Sequence, residues 1–205
     1  MAGKILVPID IITCPEWDAR PPKAQIDVVG KAVRTIFHHT AGHHPEIDTP
    51  GSESTEEAKM YARAIQNAHM APGGLGAPQG GIDSGHNFLV CRNGDILQGR
   101  WFTVYWIQHG KMVHSAHCLG GKDGLPDQND QIGIEHEHAE TEPMTKKQRE
   151  SSARLHAWIA GQYGRTTILP IQPHSKYYNT ACPANLKTEI PAIKVLANDI
   201  LQGYL

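Results

Sequence analysis

Val33-Arg34-Thr35-Ile36-Phe37-His38-His39-Thr40-Ala41-Gly42 runs from a short apolar segment straight into two histidines. An apolar run this brief suits a buried strand, since helices declare themselves over about ten residues or more. Val33–Phe37 is therefore expected as a strand that delivers an imidazole at its carboxyl end. Alternation along a strand sends His38 and His39 to opposite faces, and the residues alone do not choose between them. Far downstream, His174-Ser175-Lys176-Tyr177-Tyr178-Asn179-Thr180-Ala181-Cys182-Pro183 places a second imidazole and a thiol eight residues apart. One imidazole from the strand end plus this pair makes a nitrogen and sulfur donor set that suits Zn²⁺ with a fourth position open to water. A structural zinc site would close with a further Cys or His, and the chain has no CxxC pair.

Composition removes several function classes. The 205 residues fit one large domain with a real core. With 19 basic against 21 acidic side chains there is no electrostatic footprint for nucleic acid or an anionic membrane. No apolar run is long enough to span a bilayer, so no membrane insertion is expected. The amino-terminal apolar patch is cut by Pro8 and Asp10, too short for a secretory leader. Synthesis in the cytoplasm without a signal peptide is the expectation, and so is a monomer. Cys14, Cys91, Cys118 and Cys182 are scattered rather than framed as a disulfide scaffold.

The remaining elements read as mixed α/β, with a central sheet flanked by about three helices in a single domain spanning 1–205, its core about 11–201. Ser54 with Glu57 forms a capping box ahead of a helix to about Met70. On that helix Met60, Ala64 and His69 are expected to face the sheet, and Lys59, Arg63 and Gln66 to stay wet. Residues 71–81 are a glycine-rich loop that lacks the Lys-Ser/Thr of a phosphate cradle. His86–Cys91, Asn93-Gly94 and Ile96-Leu97 spell a β-hairpin, because Asn-Gly tolerates positive φ at both central turn positions. Further strands are expected at Val104–Ile107 and Ile132–His136. A helix from about Lys146 to Tyr163 carries Leu155, Trp158 and Ile159 on one stripe. Pro183 suits a helix start, and Pro191 breaks or restarts a terminal helix that runs to about Gln202. Repeats, charge blocks and Ser/Pro linkers are absent from the sequence, and no separate wall-binding domain is expected.

Several segments in order carry a family resemblance. Pro15-Glu16-Trp17-Asp18-Ala19-Arg20-Pro21-Pro22, Phe37–Gly42 and Ile65-Gln66-Asn67-Ala68-His69-Met70 resemble motifs of peptidoglycan-recognition proteins. Asp83-Ser84-Gly85-His86-Asn87-Phe88, then Gly94 and Gln98-Gly99-Arg100, match the hairpin of that family, and Ile132-Gly133-Ile134-Glu135 with His174 and Cys182-Pro183 completes the series. The resemblance is to the zinc amidase branch shared by phage amidase-type lysozymes, bacterial muropeptide amidases and animal recognition proteins. It implies a mixed sheet with a peptide-stem groove on one face.

The resemblance makes His38, His174 and Cys182 the ligands of one Zn²⁺ per chain. Non-catalytic recognition members typically carry serine where Cys182 stands, so an enzyme is implied. Glu135 matches the glutamate that takes a proton from water at the metal; Glu137, on the same face of the strand, is the competing carboxylate. His136 and His138 are expected at the rim or behind the ligands. His86 stands where many family amidases carry tyrosine, and Thr180 where phage enzymes carry lysine; both are candidates to stabilise the developing oxyanion. His117 occupies a position where the family often has a core histidine. The implied reaction is hydrolysis of the amide joining N-acetylmuramic acid to L-alanine of the stem peptide, with peptidoglycan as partner and a bacteriolytic, endolysin-type setting on the bacterial cell wall. The alternatives are a non-catalytic peptidoglycan-binding module and a zinc hydrolase of another amide.

Overall fold

The computed structural model describes residues 6–44, 46 and 51–203. Residues 1–5, which begin the patch weighed as a leader, lie outside them. Around one sheet, β2 (Thr35–His39), β3 (Phe88–Val90), β4 (Ile96–Gln98), β6 (Ile132–His136) and β7 (Ile171–Pro173) stand in the order β4-β3-β6-β2-β7. A separate two-stranded ribbon pairs β1 (Val28–Val29) with β5 (Met112–Val113). The ladders β3–β6, β6–β2 and β2–β7 are parallel, and only the hairpin strand β4 runs antiparallel. Central parallel strands are buried on both faces, which explains why β2 and β6 show no exposed position.

The strand read at Val33–Phe37 sits two residues later. Ladder pairing with β6 continues through His38 opposite Glu135 and His39 opposite His136, so both histidines lie within the strand rather than beyond it. Register also divides the faces. Phe37 and Ile134 point into the core shared with Leu155 and Ile159 of α3 (Lys146–Gln162) and with Ile193 and Ala197 of α4 (Ile190–Leu201). Each such side chain fully withdrawn from water contributes roughly 1.5–3 kcal/mol. His38 and Glu135 point the other way, toward the side covered by α1 (Thr55–Met70), where Tyr61 and Ala58 pack with Trp17, Leu89 and Leu97.

The helix signals resolve as local chemistry. Ser54 Oγ accepts from Glu57 N at 3.3 Å while Ser54 N donates back to Glu57 Oε2 at 2.8 Å, closing the expected capping box. Thr145 Oγ1 accepts from Gln148 N at 3.0 Å and starts α3. Pro191 falls in the first turn of α4, so it restarts the chain as a helix.

Two expectations are corrected. Val104–Ile107 is not a strand but part of α2 (Thr103–Gln108), opened by a bond from Trp106 N to Phe102 O of 3.0 Å. Its β-branched and aromatic residues favour strand, yet Thr103 and Ile107, four residues apart, are the pair it buries, and packing overrides propensity. Gln66 is buried, not wet. Its amide spans Arg20 N (2.8 Å), Arg20 O (3.0 Å) and Asp83 Oδ1 (2.7 Å), which satisfies a polar group inside the fold. The four cysteines are buried free thiols. Among the described residues no helix is long and apolar enough to cross a membrane.

Candidate metal centre and cleft

Two adjacent strands and the loop after the second bring three donors to one point. β2 presents His38 on the face away from α3, while the neighbouring β7 ends at Pro173 and turns at once into the short turn that begins with His174. The loop that follows folds back on itself, with Ser175 N donating to Cys182 O at 2.9 Å. That closure brings Cys182 under the end of β2, where its sulfur accepts from His39 N at 3.4 Å. The ligand atoms of His38, His174 and Cys182 consequently lie within 4.8 Å of one another. His39 points away from them, its ring 6.4 Å from that of His138.

This donor set fits a metal ion on three observations. His38 Nδ1 and Cys182 Sγ stand 3.7 Å apart; two ligands of one tetrahedral Zn²⁺, at about 2.0 and 2.3 Å from it, would stand about 3.5 Å apart. Both ring nitrogens of His174 are buried with no hydrogen-bond partner among the described residues. Burial pushes the Cys182 thiol up to about 12, with only the His39 N–H pulling it down, and burial holds the His174 imidazole down at about 4. A thiol that needs a cation to ionise, beside neutral imidazoles with free lone pairs, is what a zinc-type ion requires of its ligands.

Glu135 lies beside them, one strand over from His38. Burial raises its carboxyl to about 7, against the opposing pull of His69 and His39. Such a group takes and returns a proton close to neutral pH. His86 Nδ1 is 2.7 Å from Glu135 Oε2, close but out of line for a hydrogen bond as placed. The segment carrying His86 is shaped by Asp83, whose carboxylate accepts from Gln66 Nε2 and Ser84 N at 2.7 Å and from Trp101 N at 2.8 Å. Asn87 then ties it to β6, donating from N to Gly133 O at 3.0 Å and accepting Gly133 N at 2.9 Å. Burial lowers His86 to about 3, so the ring is neutral and carries one N–H. With Glu135 ionised, that proton belongs on Nδ1 facing the carboxylate.

The other residues singled out in the sequence divide clearly. Thr180 sits two residues before the cysteine, its hydroxyl accepting from Cys182 N at 3.1 Å and keeping its own hydrogen to donate. Glu137 does not compete with Glu135. Its buried carboxylate accepts from Ser52 N (2.9 Å) and Arg92 N (3.0 Å) and meets His43 Nδ1 (3.2 Å), so it anchors the loops that carry those residues. His136 is behind the ligands rather than at the rim: it is fully buried, stacked on Phe37 with ring centroids 4.0 Å apart, bonded to Ser152 Oγ at 2.9 Å and, through Nδ1, 3.1 Å from His38 O. His138 is likewise buried and engaged with Glu142 O at 2.7 Å. His117 is buried, and it also touches the site: its Nδ1 lies 3.0 Å from His38 Nε2 and its Nε2 lies 3.0 Å from Gln131 O. Gln131, just before β6, carries no sequence signal, and Gly133, within β6, is read in the sequence only as part of the Ile132–Glu135 motif.

In sequence the chain is similar to peptidoglycan-recognition protein SC1a of Drosophila melanogaster, 29% identical over 90 residues, 44% of this chain and 42% of that protein. It is similar to peptidoglycan-recognition protein SD of Drosophila simulans, 30% identical over 93 residues, 45% and 43% of the two chains. The match therefore spans less than half the length of these relatives. In structure it resembles wild-type Drosophila PGRP-LB, with a TM-score of 0.68 at 22% identity over 89% of this chain and 93% of that one. It also shares its fold with the N-acetylmuramoyl-L-alanine amidase LysC of Clostridium intestinale, with a TM-score of 0.61 at 16% identity over 91% and 98%. The family profile described as N-acetylmuramoyl-L-alanine amidase matches residues 29–185, which takes in β2, β6, His174 and Cys182. By that match, the chain belongs to the N-acetylmuramoyl-L-alanine amidase family.

Proposed function

We propose that this chain is a zinc-dependent N-acetylmuramoyl-L-alanine amidase that hydrolyses the amide between N-acetylmuramic acid and L-alanine of the peptidoglycan stem. The observation that carries the reading is the convergence of His38, His174 and Cys182 within 4.8 Å beside a buried Glu135 raised to about 7. Zn²⁺ held by these three residues supplies Lewis acidity, which makes water a better nucleophile and polarises a carbonyl. Glu135 accepts the proton of the attacking water and returns it to the leaving nitrogen. His86, whose Nδ1 stands 2.7 Å from that carboxyl, is a neutral candidate to stabilise the developing oxyanion. The Thr180 hydroxyl is a neutral donor beside Cys182 for the developing oxyanion. Presence of Cys182, rather than a ligand of weaker metal affinity, favours catalysis over recognition alone. With it we propose an endolysin role on the bacterial wall, as the sequence reading implied.

The test is mass spectrometry of purified peptidoglycan incubated with protein of known zinc content, with and without chelator. Chelator-sensitive release of stem peptides beginning at L-alanine, from intact glycan strands, is the expected result. Zinc-loaded protein that binds peptidoglycan without cutting it would make the chain a recognition module. Peptides cut within the stem would make it a hydrolase of a different amide.

A further inference from the structure

We propose that His117 is a positioning residue that presets the tautomer of His38, so that the nitrogen facing Cys182 carries a lone pair. The inference rests on the metal-site reading above, and it concerns a residue that neither ligates nor faces the cleft.

The argument is one of donors and acceptors taken in series. Gln131 O is a backbone carbonyl and can only accept, and it lies 3.0 Å from His117 Nε2. His117 Nε2 must therefore carry the hydrogen. A neutral imidazole has a single N–H, so His117 Nδ1 is left as an acceptor. That nitrogen lies 3.0 Å from His38 Nε2, which must then carry its hydrogen and donate it. His38 Nδ1 is left with its lone pair, directed toward Cys182 Sγ at 3.7 Å. The wrong tautomer would set two N–H groups or two lone pairs against each other inside the fold, leaving a buried polar contact unpaired.

Packing keeps the relay in line. The His117 ring lies against Gly133 so closely that a Cβ there would come within 2.3 Å of Cδ2 and 2.5 Å of Cγ. The ring meets that of His38 edge-on, centroids 4.9 Å apart at 79°. Gly133 itself is fixed by both bonds to Asn87. A backbone carbonyl on the strand-side loop thus dictates, through one intervening ring, which nitrogen His38 presents to a metal. Partners of this kind typically account for about 10–100-fold in metal affinity.

The experiment reads the tautomer first, in metal-free protein labelled with ¹⁵N-histidine, where neither zinc nor turnover enters. His38 is expected as the Nε2–H form; a dominant Nδ1–H form overturns the proposal. Zinc affinity is then measured by chelator competition for wild type, His117→Phe and His117→Gln. Phenylalanine keeps the ring but cannot accept, and a loss of about 10–100-fold with a mixed His38 tautomer is expected. Glutamine restores an acceptor and should recover part of the loss. Wild-type zinc affinity in folded His117→Phe overturns the proposal; should that variant not fold, the wild-type tautomer decides alone. A wild type that shows the Nε2–H form yet binds no zinc would strike the metal reading and leave the tautomer relay standing.

Discussion

Gly133→Ala is the substitution whose consequence can be worked furthest from the structure. The added Cβ would meet His117 at 2.3 Å from Cδ2, 2.5 Å from Cγ and 2.8 Å from Nε2. Carbon atoms rest at about 3.5–4.0 Å, so the ring must retreat by more than about 1 Å. Its two hydrogen bonds, each 3.0 Å, would then stretch beyond useful length. Overpacking of this kind costs about 1–3 kcal/mol, and the two lost bonds about 0.5–1.5 kcal/mol each. The expected destabilisation is therefore about 2–6 kcal/mol, read from urea unfolding in chelator. Zinc affinity should fall with it, because His38 loses its partner. A double-mutant cycle sharpens the test: His117→Ala removes the ring that clashes, so adding Gly133→Ala to it should cost far less than adding it to wild type. A Gly133→Ala protein within about 0.5 kcal/mol of wild type and with unchanged zinc affinity would refute the reasoning.

Other perturbations separate the roles. Glu135→Gln should keep the metal and lose about 10²–10⁴-fold in rate, and near wild-type hydrolysis would remove Glu135 from the reaction. The acid limb of kcat/KM should fall between the ordinary carboxyl range and about 7, because burial raises Glu135 while a bound cation lowers it. Glu137→Ala should destabilise the fold by about 2–5 kcal/mol, through the unpaired Ser52 and Arg92 amides, yet leave zinc affinity near wild type. Metal-free protein should lose stability steeply in acid. Burial holds His69 at about 4 and His86, His117, His136 and His156 at about 3. Folded values below the unfolded one mean a contribution complete above about pH 6.5 and lost as pH falls through those values. Glu135 has the opposite sign: its folded value of about 7 contributes stability below the ordinary carboxyl range that is lost as pH rises through about 7. Five rings outweigh one carboxyl, so unfolding free energies that stay flat from about pH 6 to about pH 4 would contradict these shifts.

What the sequence made legible is what local chemistry decides. The Ser54–Glu57 box and the Ile132–His136 strand each rest on neighbours along the chain and form as read, and the hairpin forms around Asn93-Gly94 with positive φ at Gly94 only. The spacing of His174 and Cys182 likewise survives folding as a convergence of donor atoms. The misread positions depend on partners far away in sequence. Gln66 is drawn inside by Arg20 and Asp83, and Glu137 is engaged by Ser52, Arg92 and His43. Val104–Ile107 has strand-favouring residues, but it buries Thr103 and Ile107 while leaving Tyr105 between them exposed, which is the spacing of a helix and not of a strand. The link from Gln131 through His117 to His38 is a matter of which nitrogen faces which, and no motif encodes that.

The central claim is that His38, His174 and Cys182 hold a catalytic zinc ion, and X-ray absorption at the zinc edge of the loaded protein tests it most directly. The account predicts one equivalent of zinc with a single sulfur scatterer at about 2.3 Å and nitrogen or oxygen scatterers at about 2.0–2.1 Å, the sulfur disappearing in Cys182→Ser. A shell of nitrogen and oxygen alone in the wild-type protein, or zinc that binds Cys182→Ser unchanged, would contradict it.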